Sequence, residues 1–338
     1  MTTSKAPTVL LIFDMEGVTG IEEVDAVSSG SALYTAGRAC LTEDVNAAIR
    51  GLKEGGAGAI WVQDGHGSGN AAEPDIIVSD LDGRATVDVR RSAYTPYTTG
   101  IDASFDAIVL IGMHAGPDQD GFMAHLHAPE AVRYTVNGVD CTETHLYAAS
   151  AGRWGIPLLL VTGDDVLESR VTVDFPGLEY VRVKKACGRS RAESLPPSDA
   201  HRLIEAGCVR GMRSYMAGRT RPLYFPGPYR FEIEWQNHQQ AEGAARHPAV
   251  SREGEKSITY TSSDLAEGID TSLRLFTLAW DGGAVLRRML SETEEGVQLL
   301  QRWRTAMLAR MLRSDAAPSF VQPPSRRSAD NGHCFGLR

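Results

Sequence analysis

The first half of the chain alternates short, wholly apolar runs with longer stretches of mixed polarity. "TVLLIF" (8–13), "AIWVQ" (59–63), "AIVLIGM" (107–113) and "IPLLLVTG" (156–163) carry too few polar positions to face water on one side, and predict strands buried on both faces. "LTEDVNAAIRGLKEGG" (41–56) predicts a helix, acidic at its start and closed by Gly55 and Gly56. "ETHLYAASAGRWG" (143–155) predicts the helix that precedes the last of these strands. Buried strands separated by helices predict an α/β fold, a mostly parallel sheet covered by helices.

The pattern then changes. "YRFEIEWQN" (229–237) alternates like a half-buried strand, and "KSITYTS" (256–262) is a second strand candidate. Helical periodicity runs over 198–216, 263–280 and 294–312. We therefore expect an N-terminal α/β domain over 1–190 and a smaller C-terminal α+β domain over 191–313, the change falling near Lys184 to Pro197. Residues 314–338, rich in Pro and Ser, predict a mobile tail.

Composition narrows the function without naming it. With 338 residues, 42% of them hydrophobic, the chain can bury a sizeable core. A net charge of -9 argues against a general nucleic-acid binder, which needs clustered Lys and Arg. No apolar run approaches the ~20 residues that span a bilayer, so no membrane partner is expected. The 5 cysteines are odd in number and widely spaced, which predicts reduced thiols in a cytoplasmic protein rather than a zinc knuckle.

Chemistry gathers at the strand ends. Asp14 and Glu16 follow the first strand, and side chains two apart on extended chain share a face. Two carboxylates held together need a proton or a cation between them. The second strand ends in Asp64 and His66, the third in His114, the fourth in Asp164 and Asp165. These ends form the edge where open α/β sheets bind ligands, and carboxylate with imidazole is the usual donor set of catalytic zinc. Asp164 and Asp165 serve equally well as caps for a following helix. Within 114–138 the chain reads as a long active-site loop leading into "AVRYTVNG" (131–138), and a loop histidine such as His125 can serve as base or nucleophile. His127 and His145 read as ordinary exposed residues.

In that order, "DMEGVTG", "DGHG", "GMHAG" with "MAHLH", "TETHLYAASAGRWGIPLLLVTGDD", "KKACGRSRAESLPP", "IEWQNHQQAE" and "ITYTSSDLAE" resemble the D-aminopeptidases of the bacterial dipeptide-transport operon type, from about Val9 to about Trp280. The resemblance implies a metal-dependent hydrolase that cleaves N-terminal D-amino acids from small peptides or amides. It implies two zinc ions per subunit, with Mn²⁺ or Co²⁺ as neighbouring choices. Asp14, Glu16, His66, His114 and Glu143 would be the ligands, Asp14 bridging, and His125 the catalytic histidine. It also implies a ring-shaped homo-oligomer, a decamer of stacked pentamers. Glu143 comes from the resemblance alone, since by itself it reads as an acidic residue in the first turn of a helix.

Other readings share part of this pattern. A specialised amidohydrolase acting on a non-peptide amide fits the same site. A haloacid-dehalogenase-type, Mg²⁺-dependent phosphatase also begins with an apolar strand and D-x-D, but Glu16 departs from that motif, and His66, His114 and His125 would have no task. A non-catalytic module with a structural metal is the third class.

Overall fold

The computed structural model describes residues 6–69, 73–87, 97–280 and 290–302. Its strands are β1 (Thr8–Phe13), β2 (Ala59–Asp64), β3 (Thr86–Val87), β4 (Ala107–Ile111), β5 (Ala131–Val136), β6 (Val139–Asp140), β7 (Leu158–Asp164), β8 (Glu179–Ala186), β9 (Ala192–Ser194), β10 (Tyr229–Trp235), β11 (Ser251–Arg252) and β12 (Ser257–Ser262). The helices are α1 (Tyr34–Glu54), α2 (Glu143–Gly152), α3 (Asp165–Asp174), α4 (Pro197–Met216), α5 (His238–Ala244) and α6 (Leu265–Ala279).

The strands form two sheets. The first has the order β3-β2-β1-β4-β7-β8-β9 and is parallel except for the last pair. The second, β11-β12-β10-β5-β6, is antiparallel throughout. Residue parity along β1 explains the layering. Val9, Leu11 and Phe13 join one core with Val45 and Ile49 of α1 and Ile204 of α4. Leu10 and Ile12 point the other way, into a core shared with Leu146 and Tyr147 of α2 and with Phe231 and Trp235 of the second sheet. Every residue of α2 is buried, its polar Glu143, Thr144, His145 and Ser150 included.

The four strands expected from apolar runs are β1, β2, β4 and β7, so the α/β expectation holds. Three details differ. Helix α1 begins at Tyr34 rather than Leu41. Gly37 lets it cross an earlier turn so closely that a Cβ there would lie 2.0 Å from the Ala26 carbonyl oxygen, a tertiary contact that no local capping signal announces. The segment into which the long loop leads, 131–136, is a strand, β5, paired with β10, an element that the local pattern does not assign. Finally, the division expected at 190/191 falls between two paired strands, β8 and β9, and α4 packs beside α1. The second sheet is built from 131–140 together with 229–262, so the chain crosses between the sheets more than once. Residues 294–302 are helical, while 303–312 of that expected helix and the tail 314–338 lie outside the described residues.

Candidate metal centre

Strand register brings the candidate residues to one level. Phe13 stands opposite Asp64 on β2 and opposite Ile111 on β4. The residues that follow each strand, among them Asp14, His66 and His114, therefore emerge together at the carboxyl edge. Two glycines allow the turns to nest. Gly112 adopts φ +77°, and a Cβ on it would sit 2.3 Å from the Asp14 carbonyl oxygen. A Cβ on Gly17 would sit 2.0 Å from the Met113 carbonyl oxygen. Asp14 N–H donates to Ile111 O at 2.8 Å and Gly17 N–H to Gly112 O at 2.8 Å, which fixes the acidic turn against the His114 turn. Glu143 arrives from the first turn of α2, behind the capping box of Thr142 and His145.

The polar groups converge. His66 Nε2 lies 3.6 Å from Glu16 Oε1. His114 Nε2 lies 3.4 Å from Asp14 Oδ2 and 3.6 Å from Glu143 Oε1. His125 stacks on His114 with ring centroids 4.1 Å apart and planes inclined by 8°, and its Nε2 is 3.9 Å from Glu143 Oε1. Two triads, Asp14–Glu16–His66 and Asp14–His114–Glu143, each have their donor atoms within 4.8 Å of one another, and both contain Asp14. Glu16, His114 and His125 form a third such group.

The imidazoles are oriented from behind. His114 Nδ1–H donates to the Ala115 carbonyl at 3.0 Å, and His125 Nδ1–H to the Met123 carbonyl at 2.6 Å. His66 Nδ1 lies 3.3 Å from Asp75 Oδ2. Ser68 N approaches the same nitrogen at 3.4 Å, but a carboxylate can only accept, so Asp75 places the proton on Nδ1. Asp75 is itself buried and accepts from Tyr34 Oη and from Gly67 N–H at 3.0 Å. All three rings thus keep the proton on Nδ1 and turn Nε2 toward the carboxylates, the arrangement that metal-binding histidines adopt.

Electrostatics point the same way. Burial, then the neighbouring charge of Glu16, pushes the Asp14 carboxyl well above its usual range. Burial also opposes ionisation of Glu16, but His66, a hydrogen bond from Asp14 and the other imidazoles outweigh it and hold Glu16 far below the usual value. Glu143 is held down to about 2, because its contacts with His114, the charge of His125 and the His127 N–H overcome burial. With protons as the only counter-charge, Asp14 keeps one against Glu16. A divalent cation would replace it. Glu16 Oε2 and His114 Nε2 are buried and have no hydrogen-bond partner among the described residues, so the donor set fits a metal pair that would use them.

All six residues singled out from the sequence meet here. Asp64 supports the site from outside it, since Oδ1 accepts from His66 N–H at 2.9 Å and Gly67 N–H at 3.0 Å. Asp164 caps α3 through Leu167 N–H and also accepts from Phe122 N–H at 2.9 Å, while Asp165 accepts from Ala186 N–H. Neither belongs to the triads. His145 is buried rather than exposed and hydrogen bonds to Asp174 at 3.1 Å. His127 is likewise buried, with φ 64°, its N–H donating to Glu143 Oε1 at 2.7 Å. Asp75, Lys184, Glu130, Phe276 and Trp280 carried no sequence signal; alternation along β8 puts Lys184 in register with exposed Arg182, yet it is buried.

The cluster floors a cleft of ≈ 410 Å³ whose walls include His127, Pro129, Glu130, Phe276 and Trp280. A doubly covered parallel sheet with such a cluster at its carboxyl edge, beneath an open cleft, has the architecture of a metal-dependent hydrolase. More specifically, the D-aminopeptidase family profile matches residues 8–273, and the chain belongs to that family. It is 27% identical over 269 residues to the D-aminopeptidase of Bacillus subtilis (strain 168), across 79% of this chain and 95% of that protein. It is also similar to the solved Zn-dependent D-aminopeptidase DppA from Bacillus subtilis, described as a self-compartmentalizing protease. The TM-score is 0.74 at 26% identity, over 80% of this chain and 97% of the other. Family membership sets aside the phosphatase reading. No helix among the described residues is long and apolar enough to cross a membrane.

Proposed function

We propose that this chain is a zinc-dependent aminopeptidase that removes N-terminal D-amino acids from small peptides or amides. Asp14, Glu16 and His66 would hold one ion and Asp14, His114 and Glu143 the other. The observation that carries the assignment is the sharing of Asp14 by two buried triads into which the Nε2 atoms of His66 and His114 point.

When bound, the ions supply Lewis-acid polarisation of the scissile carbonyl and a water of lowered pKa. Three carboxylates against two divalent ions leave the site net positive, which suits developing oxyanion charge. His125 handles protons. Burial, then the charge of His114, lowers its pKa below the ordinary value, so the ring enters neutral. Met123 O fixes the proton on Nδ1, and the Nε2 lone pair faces the site. That nitrogen accepts a proton during attack and returns it to the departing amine. His127 N–H holds Glu143 in place from behind.

We further propose a ring-shaped homo-oligomer, a decamer by family resemblance, with the clefts enclosed, working in the cytoplasm. The description of the Bacillus subtilis DppA structure as self-compartmentalizing supports enclosure. The thiols of Cys40, Cys141, Cys187 and Cys208 are free, which suits a reducing compartment.

The test is hydrolysis of matched D- and L-aminoacyl amides by purified protein of known metal content. Zinc-supported cleavage with D preference, abolished by chelator and restored by zinc, is expected. Activity that persists in excess chelator, or that acts on the L-series alone, would overturn the proposal.

A further inference from the structure

The cleft holds a fourth carboxylate that neither triad uses. Glu130 lines the wall above the metal cluster. Its Oε2 is shielded from solvent yet has no hydrogen-bond partner, and no Lys, Arg or His pairs with Glu130 among the described residues. Burial pushes its carboxyl above the usual range. A sheltered acceptor without a donor is costly, and at the wall of a ligand cleft the missing donor is one that a ligand brings.

The carboxyl is not carried on a loose loop. Gln236 N–H donates to the Glu130 carbonyl at 2.9 Å, and Gln236 Nε2 donates to the Pro129 carbonyl at 2.6 Å. The next residue, Ala131, is already paired with Trp235 in the second sheet. The same cleft is lined by Phe276 and Thr277 of α6 and by Trp280 just beyond it. His127 ties this wall to the floor: its ring meets Phe276 edge-on at 5.0 Å, while its N–H holds Glu143. The aromatic part of the wall lies just past residue 273, where the family profile match ends.

We propose that Glu130 binds the primary ammonium group of the substrate, with Phe276 and Trp280 covering the apolar part beside it. This rests on the aminopeptidase reading and deepens it. A compact cation with several N–H donors satisfies a lone carboxylate, and aromatic faces favour the same charge. Anchoring the ammonium at Glu130 while the carbonyl meets the cluster would select substrates that carry a free amine at fixed distance from the scissile bond. The ammonium can be the chain terminus or the end of a basic side chain.

The experiment compares zinc-loaded wild type, Glu130→Gln and Glu130→Asp on four substrates: D-alaninamide, N-acetyl-D-alaninamide, N-acetyl-D-lysinamide and N-acetyl-D-norleucinamide. Zinc content equal to wild type verifies that each variant is folded and loaded. Glu130→Gln should lower kcat/KM for the amine-bearing substrate about ten- to hundredfold more than for the uncharged amides, with Glu130→Asp between. A loss confined to D-alaninamide assigns the terminal amine, and one confined to N-acetyl-D-lysinamide assigns the side-chain amine. An unchanged preference, or an equal loss on every substrate, overturns the role of Glu130 alone. Calorimetric binding of D-alaninamide that depends on Glu130, in a wild-type protein that cleaves no amide, would retain the Glu130 assignment and overturn the peptidase reading instead.

Discussion

The ammonium of Lys184, on β8, donates a hydrogen bond to the backbone carbonyl of Glu16 at 2.7 Å. A second goes to the carbonyl of Ile21, so one buried lysine spans the acidic turn. Burial lowers its pKa to about 7 against the attraction of Asp44, Asp164 and Glu16, and Phe122 lies beneath it with its ring centre 5.0 Å from Nζ. Lys184→Met would leave two sheltered carbonyls without donors. We expect a loss of about 3 kcal/mol in urea unfolding, and zinc affinity reduced about tenfold because Glu16 is no longer held. Unchanged zinc affinity would mean that Lys184 supports the fold but not the site.

His125 and His114 are stacked, yet their expected roles differ. His125→Ala should retain metal while kcat falls about 10²- to 10⁴-fold, the range for a positioned proton-transfer group. Metal analysis beside steady-state kinetics separates the two effects. Full activity would make His125 a bystander, and loss of metal would make it a ligand.

Asp75 orients His66 through Nδ1. Asp75→Ala frees the ring to rotate, and outer partners of this kind are worth about 10- to 100-fold in metal affinity. Because only the triad containing His66 is affected, chelator titration should become biphasic, with one ion leaving early. A single wild-type transition would contradict this.

A pH-dependent contact lies behind the acidic turn. Asp44 accepts from Thr19 N–H at 2.9 Å and pairs with His201 Nε2 at 3.2 Å. The Asp44 hydrogen bond raises the pKa of His201 against the opposing effect of partial burial. The stabilisation is therefore complete below the unfolded value of about 6.5 and is lost as pH rises through the raised folded value. The difference in Tm between wild type and His201→Asn should be widest near about pH 6 and close by about pH 9. A constant difference across that range would rule the pair out as a stabilising contact.

Strand ends were legible because a buried parallel strand must be apolar along its length and chemistry can begin only where it stops. That one rule exposes Asp14, His66 and His114 without alignment. Glu143 was not legible on the same ground. An acid in the first turn of a helix already has a local reason to be there, so only family resemblance gave it a task. Asp75 and Glu130 sit in irregular segments where no periodicity marks them. Phe276 looks like any core residue of an amphipathic helix, and its place on the cleft wall depends on how α6 lies over α2. The β5 strand was hidden for a related reason: its long-range partner, β10, comes about a hundred residues later, and pairing of that range leaves no local trace.

Metal stoichiometry tests the shared carboxylate most directly. Wild type, His66→Ala and Asp14→Ala would each be equilibrated with zinc, desalted and measured for ions per chain by mass spectrometry. If Asp14 bridges two sites, the values should be about two, about one and close to none. Asp14→Ala protein that keeps both ions would contradict the shared, bridging role of Asp14.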